Sequence, residues 1–266
     1  MSHKRLFFDI ETSYCEGWFW RPQFKTNITY DQVLKESKII CVCYKWQGSD
    51  KIYSLKWDKG NDKDLIRKFT EILLEADEVV GHNSDKFDLK WIRTRCLVHG
   101  AKSLPDFKSI DTLKISRSKF NFPSNRLDAI GKYLGFGGKK DTGGIQLWHD
   151  IIQRNSAKAM KEMVDYCKRD VELLEKIFLK LEGYAKPKTH IGVKVGNDSC
   201  SCPYCGSDSY AISMTRYTAL GKENKVLVCK DCHRYHSVSS VLYNKVQAEK
   251  RASEKRIKEQ LTYKKR

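Results

Sequence analysis

The sequence predicts an α/β domain, a small β-rich module behind it, and a basic tail that is helical by propensity or else disordered. Three observations carry that expectation. Strand-like and helix-like apolar periods alternate through the first two thirds of the chain, five of the ten cysteines fall within residues 200–232, and residues 241–266 alternate Lys, Arg and Glu with few apolar side chains. A length of 266 residues suffices for one large core and one small one, and the expected boundaries are 1–185, 198–240 and 241–266.

The first strand is Leu6-Phe7-Phe8-Asp9-Ile10-Glu11-Thr12, an apolar, aromatic run interrupted twice by acids. At a period of two, Asp9 and Glu11 share one face while Phe8 and Ile10 take the other. Two neighbouring carboxylates repel, and a divalent cation between them relieves the repulsion; a solvent-facing sheet edge with lysine partners is the alternative this strand alone leaves open. Residues 12–30 carry Tyr14, Trp18, Phe19, Trp20 and Phe24, broken by Gly17 and Pro22. They read as a loop beside the acids, whose aromatics either stack on bases or cap the core.

Residues 38–46 are β-rich, 47–50 supply turn residues, and 51–55 resume the alternation, which makes a hairpin. Residues 62–76 place Leu65, Ile66, Phe69, Ile72, Leu73 and Leu74 at helical spacing, with Asp62 or Asp64 as the cap. A short strand at 78–80 then meets a turn at Gly81, and Asp88 falls in the first turns of the next helix with Phe87, Trp91 and Ile92 as buried neighbours. Asp85 competes with Asp88 for attention, and either can simply answer the helix dipole. A further strand end at 109–113 and a glycine-closed helix at 125–135 follow. Residues 137–144 are glycine-rich and basic but lack the spacing of a phosphate-binding loop. The longest helical pattern, 156–181, carries Tyr166 and Asp170 one turn apart on one face.

Net charge is +17, and residues 186–266 contribute 17 Lys and Arg against 7 Asp and Glu. Such a surplus points to a polyanion. Nucleic acid is favoured over a membrane, because no run approaches the ~18 apolar residues of a span. The first residues run straight into a strand without the pattern of a signal peptide, so a cytoplasmic location is expected.

Taken in order, Asp9-x-Glu11, Asn83-x-x-x-Phe87-Asp88 and Tyr166-x-x-x-Asp170 resemble the three motifs of the DEDD 3′–5′ exonucleases, proofreading-type nucleases of ribonuclease-H-like fold. The resemblance covers roughly residues 4–182 in order and spacing. The tyrosine four residues before the last aspartate is similar to the DEDDy branch; the DEDDh branch would have histidine at position 165, where this chain has Asp165. The resemblance implies a mixed sheet flanked by helices and a site for two Mg²⁺ or Mn²⁺ ions. Asp9 would bridge both ions, Glu11 and Asp170 would complete the first site, Asp88 would support the second, and Tyr166 would orient the attacking water. Asn83, Phe87, Trp18 and Trp20 are the candidate contacts to nucleic acid. The chemistry gives its own reason for these residue types, since two-metal phosphodiester hydrolysis needs hard oxygen ligands that hold the ions roughly 4 Å apart. The implied partners are single-stranded DNA, with RNA as a second substrate, and a replication or repair protein.

Cys202-x-x-Cys205 and Cys229-x-x-Cys232 are two knuckles whose spacing is that of a zinc ribbon. Four thiolates suit one structural Zn²⁺, and the β-rich residues between them form the ribbon. Cys200, His233 and His236 are spare candidate ligands. A closed site of four thiolates leaves no position for catalysis, so the expected role of this module is to bind or position.

Overall fold

The strand bearing Asp9 and Glu11, β1 (Arg5–Thr12), is the central strand of a five-stranded mixed sheet. The structure, a computed structural model, describes residues 3–21, 28–137 and 144–263. Phe24, Pro22 and the middle of the glycine-rich basic stretch lie outside them. The described chain divides into two compact units, Lys4–Lys186 and one built from Pro187–Arg266.

In the first unit β1 is followed by a short ribbon of β2 (Glu16–Gly17) and β3 (Val33–Lys35), where the sequence suggested only a loop. Next come β4 (Ile39–Trp46) and β5 (Ile52–Lys56), the expected hairpin, then α1 (Lys63–Leu74), β6 (Glu78–Gly81), α2 (Asp88–His99) and β7 (Ser109–Asp111). Helices α3 (Thr112–Lys119), α4 (Leu127–Tyr133), α5 (Ile145–Ile152) and α6 (Ala157–Leu181) complete it. The sheet order is β5-β4-β1-β6-β7; β4 runs antiparallel to β1 and β5 to β4, whereas β6 and β7 are parallel to β1. The fold is a ribonuclease-H-like mixed α/β architecture.

Alternation along β1 divides the core in two. Leu6, Phe8 and Ile10 pack with Leu65, Ile66, Phe69 and Leu73 of α1 and Leu89, Ile92 and Cys96 of α2 on one face. Phe7 packs on the other face with Met163, Cys167, Val171, Leu174 and Phe178 of α6. Both faces are therefore dry, which is why β1 and β4 read as near-continuous apolar runs. Ser156 caps α6 by accepting the Ala159 N–H at 3.3 Å.

Asp62 departs from expectation. It occupies the N-cap position of α1 but makes no capping bond. Its fully buried carboxylate instead accepts from Arg95 Nε and Nη2, both at 2.7 Å, and from the Ile39 N–H at 3.1 Å, with His99 Nε2 2.7 Å away. A buried carboxylate needs several donors, and this arrangement ties α2 to the start of β4.

In the second unit α7 (Ile191–Lys194) precedes a three-stranded antiparallel sheet, β8 (Tyr210–Tyr217), β9 (Glu223–Cys229) and β10 (Tyr235–Ser239), and α8 (Ser240–Tyr263) ends the described chain. Its small core joins Cys200, Leu227 and Val238 to Leu242, Tyr243 and Val246 of α8. The first turns of the basic tail are thus part of that core, and Cys200 is a buried apolar residue within it.

Candidate active site

Asp9 and Glu11 leave β1 on the same face, opposite Cys43 and Cys41 of β4 in the antiparallel ladder. The register slips immediately after Glu11, an irregularity that ends regular pairing beside the acids. Asp170 comes from α6 and is buried. Carboxylate oxygens of Asp9, Glu11 and Asp170 all lie within 4.8 Å of one another. Cys167, one turn before Asp170, places its Sγ 3.4 Å from the Asp9 carbonyl oxygen and 3.7 Å from Asp9 Oδ2.

Asp88 is the first residue of α2, and its Oδ1 accepts the Ile10 N–H at 3.2 Å. It stands outside the three-acid cluster but lines the same cavity. Burial, with the Asp111 carboxylate adding to it, pushes the Asp88 carboxyl up to about 7 despite the backbone N–H groups it accepts. The turn that aims it is tightly built. A Cβ on Gly81 would sit 2.4 Å from the Ser84 Cβ, so only glycine fits the end of β6. Asn83 adopts a left-handed φ of 65°, which asparagine tolerates better than most residues. Its N–H donates to Asp111 Oδ1 at 2.9 Å, and the Leu113 N–H donates to the same oxygen at 3.0 Å, so one carboxylate fixes the turn and caps α3.

The cavity is about 610 Å³ and takes in Asp9, Glu11, Asp88, Tyr166 and Asp170, together with Asn83 and Phe87. Phe87 was expected to be buried but is 39 % exposed, stacked edge-on against Trp91 at 6.4 Å, and so presents an aromatic face at the cavity mouth. Asp85 is engaged elsewhere, with Ser109 Oγ at 2.5 Å and Lys114 Nζ at 2.6 Å. Trp18 and Trp20 do not line this cavity; at 67 % and 100 % exposure they do not cap the core either.

Sequence reasoning missed four ionisable residues of the cavity wall: His82, Arg117, Arg126 and Asp128. His82 follows Gly81 directly, and its ring nitrogens reach Thr112 Oγ1 and the Asn125 carbonyl oxygen, both at 2.9 Å. No periodicity marks these positions: His82 sits in the β6–α2 turn between Gly81 and Asn83, and Arg117, Arg126 and Asp128 reach the cavity through the packing of α3 and α4.

In the second unit the four sulfurs of Cys202, Cys205, Cys229 and Cys232 lie within 4.8 Å of one another, with Cys202–Cys232 and Cys205–Cys229 both at 3.6 Å. The knuckles are alike. Gly206 and His233 follow the second cysteine of each with φ of 85° and 58°, and their N–H groups donate to the carbonyl oxygens of Cys202 and Cys229. His233 and His236 stay outside the sulfur cluster, and His236 meets the Cys200 carbonyl oxygen at 3.0 Å. Although burial opposes it, the N–H groups of Cys232 and Asp231 hold the Cys229 thiol down at about 7. Four converging sulfurs fit Zn²⁺, and three converging carboxylates fit a hard cation such as Mg²⁺ or Mn²⁺.

A central strand with paired acids, closed over by a helix that brings a third, defines a ribonuclease-H-like α/β protein. The chain belongs to the RNase_H superfamily, whose family model matches residues 31–182. That span contains Asp88, Tyr166 and Asp170 but begins beyond β1, so Asp9 and Glu11 join the set by geometry. Among solved structures the fold is similar to that of the family B DNA polymerase from the hyperthermophilic archaeon Pyrobaculum calidifontis, with a TM-score of 0.52 and 15 % identity. The match covers 84 % of this chain and 32 % of the polymerase, so the chain spans about a third of that protein. No curated protein matches the sequence.

Proposed function

We propose that the chain is a divalent-metal-dependent 3′–5′ exonuclease that releases nucleoside monophosphates from DNA, single strands above all, and from RNA. The observation that carries this reading is the convergence of Asp9, Glu11 and Asp170 within 4.8 Å in a cavity that Asp88 and Tyr166 also line. Like charges this close are costly unless cations hold them, and hard oxygen donors select Mg²⁺ or Mn²⁺. When bound there, two such ions would supply the positive charge that activates the attacking water and steadies the departing 3′ oxygen. Asp9 would hold both ions, Glu11 and Asp170 would complete one site, and Asp88 would support the other. Tyr166, one turn before Asp170 on α6, holds the attacking water through its phenol oxygen. Asn83 and Phe87 meet the terminal nucleotide at the cavity mouth, and the exposed Trp18 and Trp20 stack on bases of the strand. The cysteine module holds structural zinc and, with the basic residues around it, adds grip on nucleic acid or docks a replication or repair protein.

The test uses purified protein with 5′-labelled single-stranded DNA, duplex DNA and RNA, in Mg²⁺ and then in EDTA. A ladder shortening one nucleotide at a time, with mononucleotide release that EDTA stops, is the expected outcome. Internal cuts that leave oligonucleotide fragments would make the chain an endonuclease of the same superfamily, and binding without cleavage would make it a regulatory protein of nuclease fold.

A further inference from the structure

The acids account for one side of the cavity's chemistry, yet a polyanionic strand entering it meets five carboxylates, Asp128 included. A counter-surface is needed, and two arginines also line the cavity, Arg117 of α3 and Arg126 at the start of α4. We propose that Arg117 and Arg126 grip the phosphate on the 5′ side of the scissile one, so that the site selects a strand with at least one further phosphodiester over an isolated nucleotide ester. This inference rests on the exonuclease reading of the same cavity.

Both arginines sit on anchored backbone. His82 bonds Thr112 at the start of α3 and the Asn125 carbonyl just before Arg126, and Thr112 Oγ1 also donates to the Gly81 carbonyl oxygen at 3.1 Å. The segment between the two helices is pinned by ring contacts, Phe120 with Phe122 at 5.2 Å, Phe120 with Tyr184 at 4.9 Å and Phe122 with Tyr133 at 5.6 Å. The guanidinium groups themselves are available. Arg117 is exposed, and Arg126 is 81 % exposed, with a long 3.5 Å contact from its Nε to Asp128 that a phosphate would readily replace. Arg126 also stands at a helix N-terminus, where aligned peptide dipoles disfavour a cation, so local helix energetics do not explain it. Planar guanidinium groups suit phosphate oxygens.

The test compares wild type with Arg117→Ala, Arg126→Ala and the two Arg→Lys variants on an oligothymidylate and on thymidine 5′-(p-nitrophenyl phosphate), which has only the scissile phosphate. Each alanine variant is expected to lose about ten-fold in kcat/KM on the oligonucleotide, mostly through KM, and the loss should exceed that on the small ester several-fold. Lysine should restore part of it. Equal losses on both substrates would overturn the proposal. Binding of fluorescent oligothymidylate in EDTA reads the same contact without cleavage; the slope of log affinity against log salt should become shallower by about 0.7 per arginine removed. Normal cleavage with unchanged slopes in both alanine variants would refute the phosphate contact and leave the exonuclease reading intact. Shallower slopes in a protein that cleaves nothing would do the reverse.

Discussion

Asp9 is the residue on which the site turns, since it clusters with Glu11 and Asp170 and lies against Cys167. Asp9→Ala is expected to cut activity by a factor on the order of 10³ or more while leaving the thermal midpoint unchanged or raised, because one of three crowded charges is gone. Digestion at wild-type rate by a well-folded Asp9→Ala protein would sink the assignment. Tyr166→Phe should keep a measurable rate about 10²-fold lower, since the carboxylates remain and only water orientation is lost. Asp88 supplies a pH signature. Its folded pKa of about 7 lies above that of an unfolded aspartate, so the metal-free native state holds the extra proton between roughly pH 4 and 7. The stability it contributes is complete below the unfolded pKa and is lost as pH rises towards 7, and in EDTA the decline should flatten in Asp88→Asn. With metal the sign reverses, because Mg²⁺ competes with that proton. The acid limb of activity should therefore move to lower pH as Mg²⁺ is raised, and an acid limb insensitive to Mg²⁺ would exclude Asp88 from metal binding.

At the scale of elements, the β6–α2 turn and the cysteine knuckles bear the sharpest expectations. Gly81→Ala forces a Cβ onto Ser84 and should cost ~1–3 kcal/mol in chemical denaturation, with activity falling as Asp88 is re-aimed. Freshly purified protein should hold about one tightly bound zinc by elemental analysis, and Cys202→Ser should lose it and unfold the second unit. Elements with a strong apolar period were readable from sequence, and β1, the β4–β5 hairpin, α1 and α6 follow their patterns closely. The ribbon β2–β3 and the one-turn α7 were not, because two to four residues carry no period. Helix α5 does carry one, with Leu147 and Ile151 buried a turn apart, and its signal was legible but overlooked. Asp9 and Glu11 were visible because charge inside an apolar run is anomalous, whereas Asp88 and Asp170 lie in polar stretches and stood out only through the motifs they resemble. His82, Arg117 and Arg126 sit in polar surroundings where charge is ordinary, and only the packed fold shows that they share a cavity.

For the whole molecule, the division near residue 186 separates a nuclease-type unit from a basic one. Truncation after about Tyr184 should leave an active core with weaker binding, a shallower dependence of log affinity on log salt, and nearly unchanged turnover on saturating short substrate. Equal affinity and equal slope in the full and truncated proteins would mean that the second unit serves a protein partner instead. The contact between Asp9 and Cys167 spans 158 residues, and it has a bearing on how the chain is made. On a ribosome adding ~5–20 residues per second, Asp170 appears roughly 10–30 s after Asp9. Until then β1 has its neighbours in the sheet but lacks the helix that closes one of its faces. On the proposed function, a nascent chain or a nonsense fragment ending short of α6 would lack Tyr166 and Asp170 and would leave nucleic acid uncut, so synthesis itself would delay the onset of cutting until the domain can close.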